Sequence, residues 1–212
     1  MTTIDELSRK LSDLTRRVTS LEGGAAGSPG SPDLYTPNVI SNGDMESGSA
    51  GWALIFFFGA SGATLSVETV APEDGLRSLK ATEAAASSSR LTWIPTGSTT
   101  SPTVGTDVFT CAPGQTWLIS ALMQSTIATA HARIYALGGA SPSDCYGGGG
   151  GTFLTAADIP LAPATPTVLQ GTVTVPAGMN YLTFVCAADD GATSAGGAWS
   201  WLLDDVSLQR RL

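Results

Sequence analysis

The chain has 212 residues and a net charge of −8, with 13% charged and 42% hydrophobic residues. The first 22 residues balance four acids against four bases, so the acid excess lies in the remainder; its few Lys and Arg are a poor fit to DNA or anionic lipid, whose phosphates need clustered cations. The longest apolar run, 52–58, is far too short to span a bilayer, and the three cysteines, Cys111, Cys145 and Cys186, form no C-x-x-C pair.

The chain opens on a heptad seam. Ile4, Leu11 and Val18 fall at a positions and Leu7, Leu14 and Leu21 at d positions. Thr3 with Glu6 makes a capping box, Gly23-Gly24 stops the helix, and Asp5–Arg9, Glu6–Lys10 and Asp13–Arg17 are i,i+4 pairs with the acid first. A lone helix of about 20 residues is marginal in water, so this one is expected to associate with copies of itself. β-branched a residues over Leu at d favour a dimer. Against that, the stretch from Arg17 through Val18 and Leu21 to Glu22 resembles the trimerisation motif of short coiled coils, in which Arg17 reaches Glu22 of the neighbouring helix. A homotrimer is the preferred reading, and a helix packed on its own β domain is the alternative. A charged heptad helix is unlike a basic-then-apolar signal peptide, which predicts synthesis in a cytoplasm.

Residues 23–37 are rich in Gly, Ala, Ser and Pro and read as a linker. From residue 38 to 212 short Val-, Thr- and Ile-rich runs alternate with Gly and Pro turns. Strands are expected at 38–41, 53–58, 64–70, 78–83, 90–94, 107–111, 116–124, 132–137, 152–154, 167–175, 181–187 and 198–208. About a dozen strands with no further helix predict an all-β chain, a jelly-roll β-sandwich behind a short N-terminal coiled-coil helix. Cys111 and Cys186 are expected as small buried hydrophobes, a disulfide between them being the alternative.

Two segments at opposite ends of this domain carry a resemblance. The first is Asn38-Val39-Ile40-Ser41-Asn42-Gly43-Asp44-Met45-Glu46, followed by Gly51-Trp52; the last is Asp204-Asp205-Val206-Ser207-Leu208. With Gly75-Leu76-Arg77-Ser78-Leu79 and Pro113-Gly114-Gln115-Thr116-Trp117 between them, in order, they resemble carbohydrate-binding modules of families 4, 9 and 22 over the whole β domain. The resemblance implies paired terminal strands that bring Glu46 to the Asp204-Asp205 pair, where such modules commonly hold a structural Ca²⁺. Glu46, Asp204 or Asp205, and Glu73 or Asp74 are the positions that match, and hard cations want oxygen ligands of this kind. The other reading is that these acids end strands without a metal. The resemblance also implies a glycan site of aromatic faces with polar neighbours. Trp117 and Trp201 lie in alternating strands and are expected in the core. Trp93, following Arg90 in a Ser/Thr setting, and Tyr146, before a five-glycine run, are the expected exposed platform.

Catalysis has little to rest on. His131 is the single histidine, no Gly-x-Ser-x-Gly elbow or zinc set is present, and the paired acids Asp189-Asp190 and Asp204-Asp205 are adjacent in sequence. A trimerising helix, a tether and a glycan-module-like head resemble minor tail or fibre proteins of bacteriophage virions. The resemblance implies a non-enzymatic trimer on the tail that contacts host surface glycan, with other virion proteins and host cell-wall polysaccharide as partners. The alternatives are a structural decoration protein of capsid or tail, and a bacterial accessory sugar-binding module.

Overall fold

The computed structural model describes residues 35–58, 63–69, 75–83, 88–98, 100–128, 130–146, 151–189 and 198–212, without the side chains of residues 55–58, 88 and 89. The coiled-coil positions from Ile4 to Glu22, the linker up to residue 34, and Glu73 and Asp74 lie outside the described residues. Eleven strands run in chain order: β1 Trp52–Phe58, β2 Thr64–Glu68, β3 Ser78–Glu83, β4 Ser88–Trp93, β5 Phe109–Thr110, β6 Thr116–Ser125, β7 His131–Gly139, β8 Thr152–Pro160, β9 Thr167–Thr174, β10 Tyr181–Asp189 and β11 Trp199–Arg210. Between β7 and β8 lies a 3-10 helix, Pro142–Tyr146. No helix among the described residues is long and apolar enough to cross a membrane.

The strands form two antiparallel sheets, the expected jelly-roll sandwich. One has the order β1-β4-β10-β7-β8 with β5 also paired to β10; the other has the order β2-β3-β11-β6-β9. Two expectations change in detail. Strand β8 runs nine residues, because Leu154, Ile159 and the alanines between them pack on the core and prolong the pairing with β7. Residues 38–41 form no ladder; one backbone bond, from Val39 N–H to the Leu208 carbonyl, and the Asn38 side chain hold them to β11 instead.

Period-two alternation fills the space between the sheets. Trp117, Ile119, Ala121 and Met123 of β6, with Trp199, Trp201 and Leu203 of β11, are buried facing Ala132, Ile134 and Ala136 of β7 and Leu182, Phe184, Cys186 and Ala188 of β10. Among the buried acidic residues, Glu83 accepts the Trp201 indole N–H at 3.1 Å. All three cysteines are free thiols, so the Cys111–Cys186 disulfide is not formed; Cys186 is a buried core residue, and Cys111 is half-buried.

Trp93, expected at the surface, is a core residue with 3% exposure. Strand β1 pairs Trp52 directly opposite Trp93. Their rings meet edge to face at 5.5 Å, and Trp52 meets Phe184 in the same manner at 5.8 Å. Gly51, at φ 84°, is required here, since a Cβ would sit 2.6 Å from the Trp93 ring. The Trp93 indole N–H is satisfied by the Thr106 carbonyl at 2.9 Å. Replacing so large a buried ring by Ala leaves a cavity as well as an orphaned carbonyl. Trp93→Ala should destabilise the domain by about 3–5 kcal/mol, read as a lowered midpoint in urea; an unchanged midpoint would return Trp93 to the surface.

Candidate functional site

All five tryptophans are buried, from Trp201 at 0% to Trp52 at 6% exposure, so no indole offers a stacking face. Tyr146 is likewise turned inward. Its hydroxyl reaches the carbonyl oxygens of Asp107 at 2.6 Å and Trp93 at 2.9 Å, beside the buried Thr183 hydroxyl that bonds the same two carbonyls. Burial pushes the Tyr146 phenol well above its ordinary range. Trp93 and Tyr146 thus meet through the backbone of the core rather than on a platform. Of the three expected glycan residues, Trp93 is buried, Tyr146 is half-buried with its hydroxyl turned into the core, and Arg90 lies half-buried on the outward face of its sheet.

Arg90 lies on the outward face of the six-stranded sheet, and a set of residues that the sequence reading did not assemble lies with it. Register places Arg90 of β4, Ala187 of β10, Arg133 of β7 and Asp158 of β8 in one row, and Thr92, Val185, Tyr135 and Thr155 in the next. Phe153 follows, opposite Leu137. Tyr135 and Phe153 pack edge to face at 5.2 Å, and the Arg90 guanidinium carbon sits over the Phe153 ring, 4.9 Å from its centre. Desolvation lowers Arg90 to about 10, against the opposing influence of Tyr135, and burial raises the Tyr135 phenol.

Arg133 is clamped from both sides. Its Nε donates to Asp158 at 2.8 Å, its Nη1 pairs with Asp189 at 3.0 Å, and Asp158 also meets His131 Nδ1 at 3.1 Å. The hydrogen bond from Asp158 leads in raising the Arg133 guanidinium. At Asp158, burial opposes ionisation, but bonds from His131 and Arg133 outweigh it and hold the carboxyl below its ordinary range. With Arg133 at 37% and Asp158 at 42% exposure, such pairs contribute only about 0–1 kcal/mol to stability. Their effect is to fix the guanidinium plane beside Tyr135 while leaving some of its five donors open to a ligand. Alternation in 131–137 carried the signal: His131, Arg133 and Tyr135 face one way while Ala132, Ile134 and Ala136 face the core.

A second locus joins the two ends of the domain. Glu46 Oε1 accepts the N–H groups of Leu76 at 2.7 Å and Arg77 at 3.3 Å, and Arg77 returns a bond to the Glu46 carbonyl. Asp204 is buried; it accepts the Ser78 hydroxyl at 2.8 Å and the Asp205 N–H at 2.8 Å. Burial pushes its carboxyl up to about 8, relieved by those bonds and reinforced by the charges of Asp205 and Glu46. The structure thus brings Glu46 toward Asp204 and Asp205. Among the described residues no three His, Cys, Asp or Glu side chains could hold a metal ion together. Three acidic side chains nonetheless gather at this corner, and the charges of Asp205 and Glu46 add to the burial that raises Asp204.

No family model and no curated protein matches this chain. Solved structures do. A family 16 carbohydrate-binding module aligns with a TM-score of 0.50 at 17% identity, over 81% of this chain and 99% of that one. The CBM22-1 and GH10 modules of Clostridium thermocellum xylanase 10B, complexed with xylohexaose, align at 0.51 and 12% over 84% of this chain. The enzymatically active domain of bacteriophage CBA120 tailspike protein 4 aligns at 0.51 and 16% over 81%. The chain spans only 28% of the xylanase chain and 21% of the tailspike chain. These likenesses show that the β domain has the jelly-roll fold of carbohydrate-binding modules.

Asp204 makes stability depend on pH. Its carboxyl moves from an ordinary 3.8 to about 8 in the folded protein, so its contribution is complete below 3.8 and is lost as pH rises through 8. In protein stripped of divalent ions, the melting temperature should fall across that window, and Asp204→Asn should flatten the fall. A melt of the wild type that rises from pH 4 to pH 8 and is unaltered by Asp204→Asn would contradict the assignment.

Proposed function

We propose that this protein is a non-enzymatic carbohydrate-binding head whose sugar site is the outward face of the six-stranded sheet, and that its N-terminal helix gathers three such heads on a bacteriophage tail to hold host cell-wall polysaccharide. The observation that carries the sugar site is the Tyr135–Phe153 pair bordered by the Arg133–Asp158–Asp189 clamp. Aromatic faces offer the apolar side of a pyranose ring a large contact area at low entropic cost. The clamped guanidinium and the two carboxylates offer donors and acceptors to its hydroxyls. The jelly-roll likeness to a family 16 carbohydrate-binding module supports the same reading.

Geometry suits a tethered head. Tyr35, where the described chain begins, bridges Arg211 at the end of β11, which belongs to the five-stranded sheet. The described chain therefore begins on the layer opposite the proposed sugar face. Weak single-site binding becomes avid when three sites share one axis, because each later contact is intramolecular.

Phe153→Ala and Tyr135→Ala should each reduce retention on host cell walls about tenfold, the effect of losing one stacked ring, while thermal unfolding stays cooperative. Leu14→Asp should leave folded monomers in sedimentation that bind far less than the trimer. A wild type of single-chain mass would defeat the trimer. A trimer that ignores cell walls yet stays bound to virions would defeat the sugar site in favour of a decoration protein.

The corner of Glu46 and Asp204 is proposed to take a structural Ca²⁺, held by these two carboxylates with neighbouring carbonyls. Its bound charge would replace the proton that burial otherwise favours on Asp204. Chelation should lower the melting temperature, added Ca²⁺ should restore it by mass action, and Glu46→Ala should abolish the response. Equal melts with and without Ca²⁺ in metal-stripped protein would leave these acids as strand-end residues.

A further inference from the structure

The Arg90–Phe153 contact joins side chains from strands that are not neighbours. In the order β4-β10-β7-β8, two strands lie between them, and register sets Phe153 four residues along from the Arg90 row. On a flat sheet, with about 4.8 Å between strands and about 3.4 Å per residue, their Cα atoms would be roughly 20 Å apart. That is further than the two side chains and a 4.9 Å gap can span. The sheet must therefore curl along this diagonal, and the outward face is a trough with β4 and β8 as its walls.

The middle of that diagonal falls on Val185 and Tyr135, which pair with each other across β10 and β7. Val185 points outward yet is only 1% exposed. Leu137, the next outward residue of β7 after Tyr135, is 4% exposed. Two apolar side chains on the outward face of the sheet are thus shielded from water. Phe153 keeps 37% exposure at the rim, with the guanidinium resting on one ring face. A cation held against an aromatic ring occupies the place that a stacked sugar would take.

We propose that Arg90 is the gate of this trough: in the free protein it caps the Phe153 ring, and a sugar chain enters by displacing it and stacking on the exposed ring and the Val185 floor. The inference rests on the reading of this face as the sugar site. Arg90 suits a reversible cap. Its half-buried guanidinium is partly stripped of water, as its lowering to about 10 records, so moving it back into solvent recovers hydration while the ring contact is lost. The closed form withholds the ring from ligands that cannot replace the guanidinium, and the apparent affinity falls by the fraction of molecules that are open. The sugar readers of this chain then divide: Tyr135 and Phe153 hold the ring, Arg133 and its acids address the hydroxyls, and Arg90 determines access.

The test uses the full chain, with xylohexaose and purified host cell-wall polysaccharide as probes. In the free protein, Arg90 side-chain resonances should carry an upfield ring-current shift that Phe153→Leu removes. Saturating ligand should remove it as well. Arg90→Ala should bind roughly three- to tenfold more tightly than the wild type, with faster association, and Arg90→Gln should behave alike, which guards against an effect of lost packing. An Arg90→Ala variant that folds and binds more weakly would overturn the gate and make Arg90 a sugar contact. So would a shift that persists in the saturated complex. If neither the wild type nor Arg90→Ala holds any probe, the sugar-site reading fails and the gate falls with it.

Discussion

The changeover of partners along β11 determines where both ends of the domain lie. Strand β3 pairs with β11 only from Trp199 to Leu203. Beyond that point the opening segment takes over, through isolated backbone bonds such as Val39 N–H to the Leu208 carbonyl and through side chains. Asn38 donates its amide to the Val206 carbonyl and accepts the Leu208 and Ile40 N–H groups, while Thr36 exchanges bonds with Arg210. Buried backbone groups must find partners, and here the amide of one Asn, with a few backbone bonds beside it, supplies what a second strand would have supplied. The pairing of β11 with β6 shifts register between Asp204 and Ser207, where Asp205 adopts φ 45°. That irregularity is what sets the Asp204 carboxyl beside Ser78, at the start of β3, and toward Glu46.

The opposite sheet has the same construction. Strand β10 pairs with β4 over Val185–Ala188 and with β5 at Tyr181–Leu182. At the junction Thr183 and Tyr146 send their hydroxyls to the carbonyls of Trp93 and Asp107. Asp107 in turn is anchored by the Thr96 and Thr103 N–H groups and the Thr96 hydroxyl. Tyr146 therefore closes a gap in a ladder. A tyrosine ahead of a glycine run looks like a surface residue in one dimension, because the gap exists only once β4 and β5 have been placed beside β10.

The same distinction explains what the sequence could and could not say. Strand positions, the two-sheet sandwich and the buried Trp117 and Trp201 follow from local alternation, which a linear reading sees directly. The opening and closing motifs were legible because Asn38, Asn42, Glu46 and Asp204 each make bonds that only their own side chains can make. Trp93 was misplaced because its polar flanks belong to a strand whose outward face is Arg90 and Thr92, while the ring between them turns in toward Trp52. Phe153 was not found because its partners come from β4 and β7, and no spacing along the chain encodes a curl across four strands.

Curvature also decides what kind of recognition this face supports. Arg133 lies between two carboxylates that cancel its charge, and the chain as a whole carries −8. Among the described residues of this face, Arg90 and Arg133 balance Asp158 and Asp189, so these charges offer a polyanion no net attraction. Attraction must arise at contact range, from ring faces and fixed hydrogen-bond groups. Such groups suit the uncharged, hydroxyl-rich chain proposed as the ligand, and they would act weakly one site at a time. A trough of that character is best served by repetition on a common axis, which is what the heptad seam at the other end of the chain is proposed to provide.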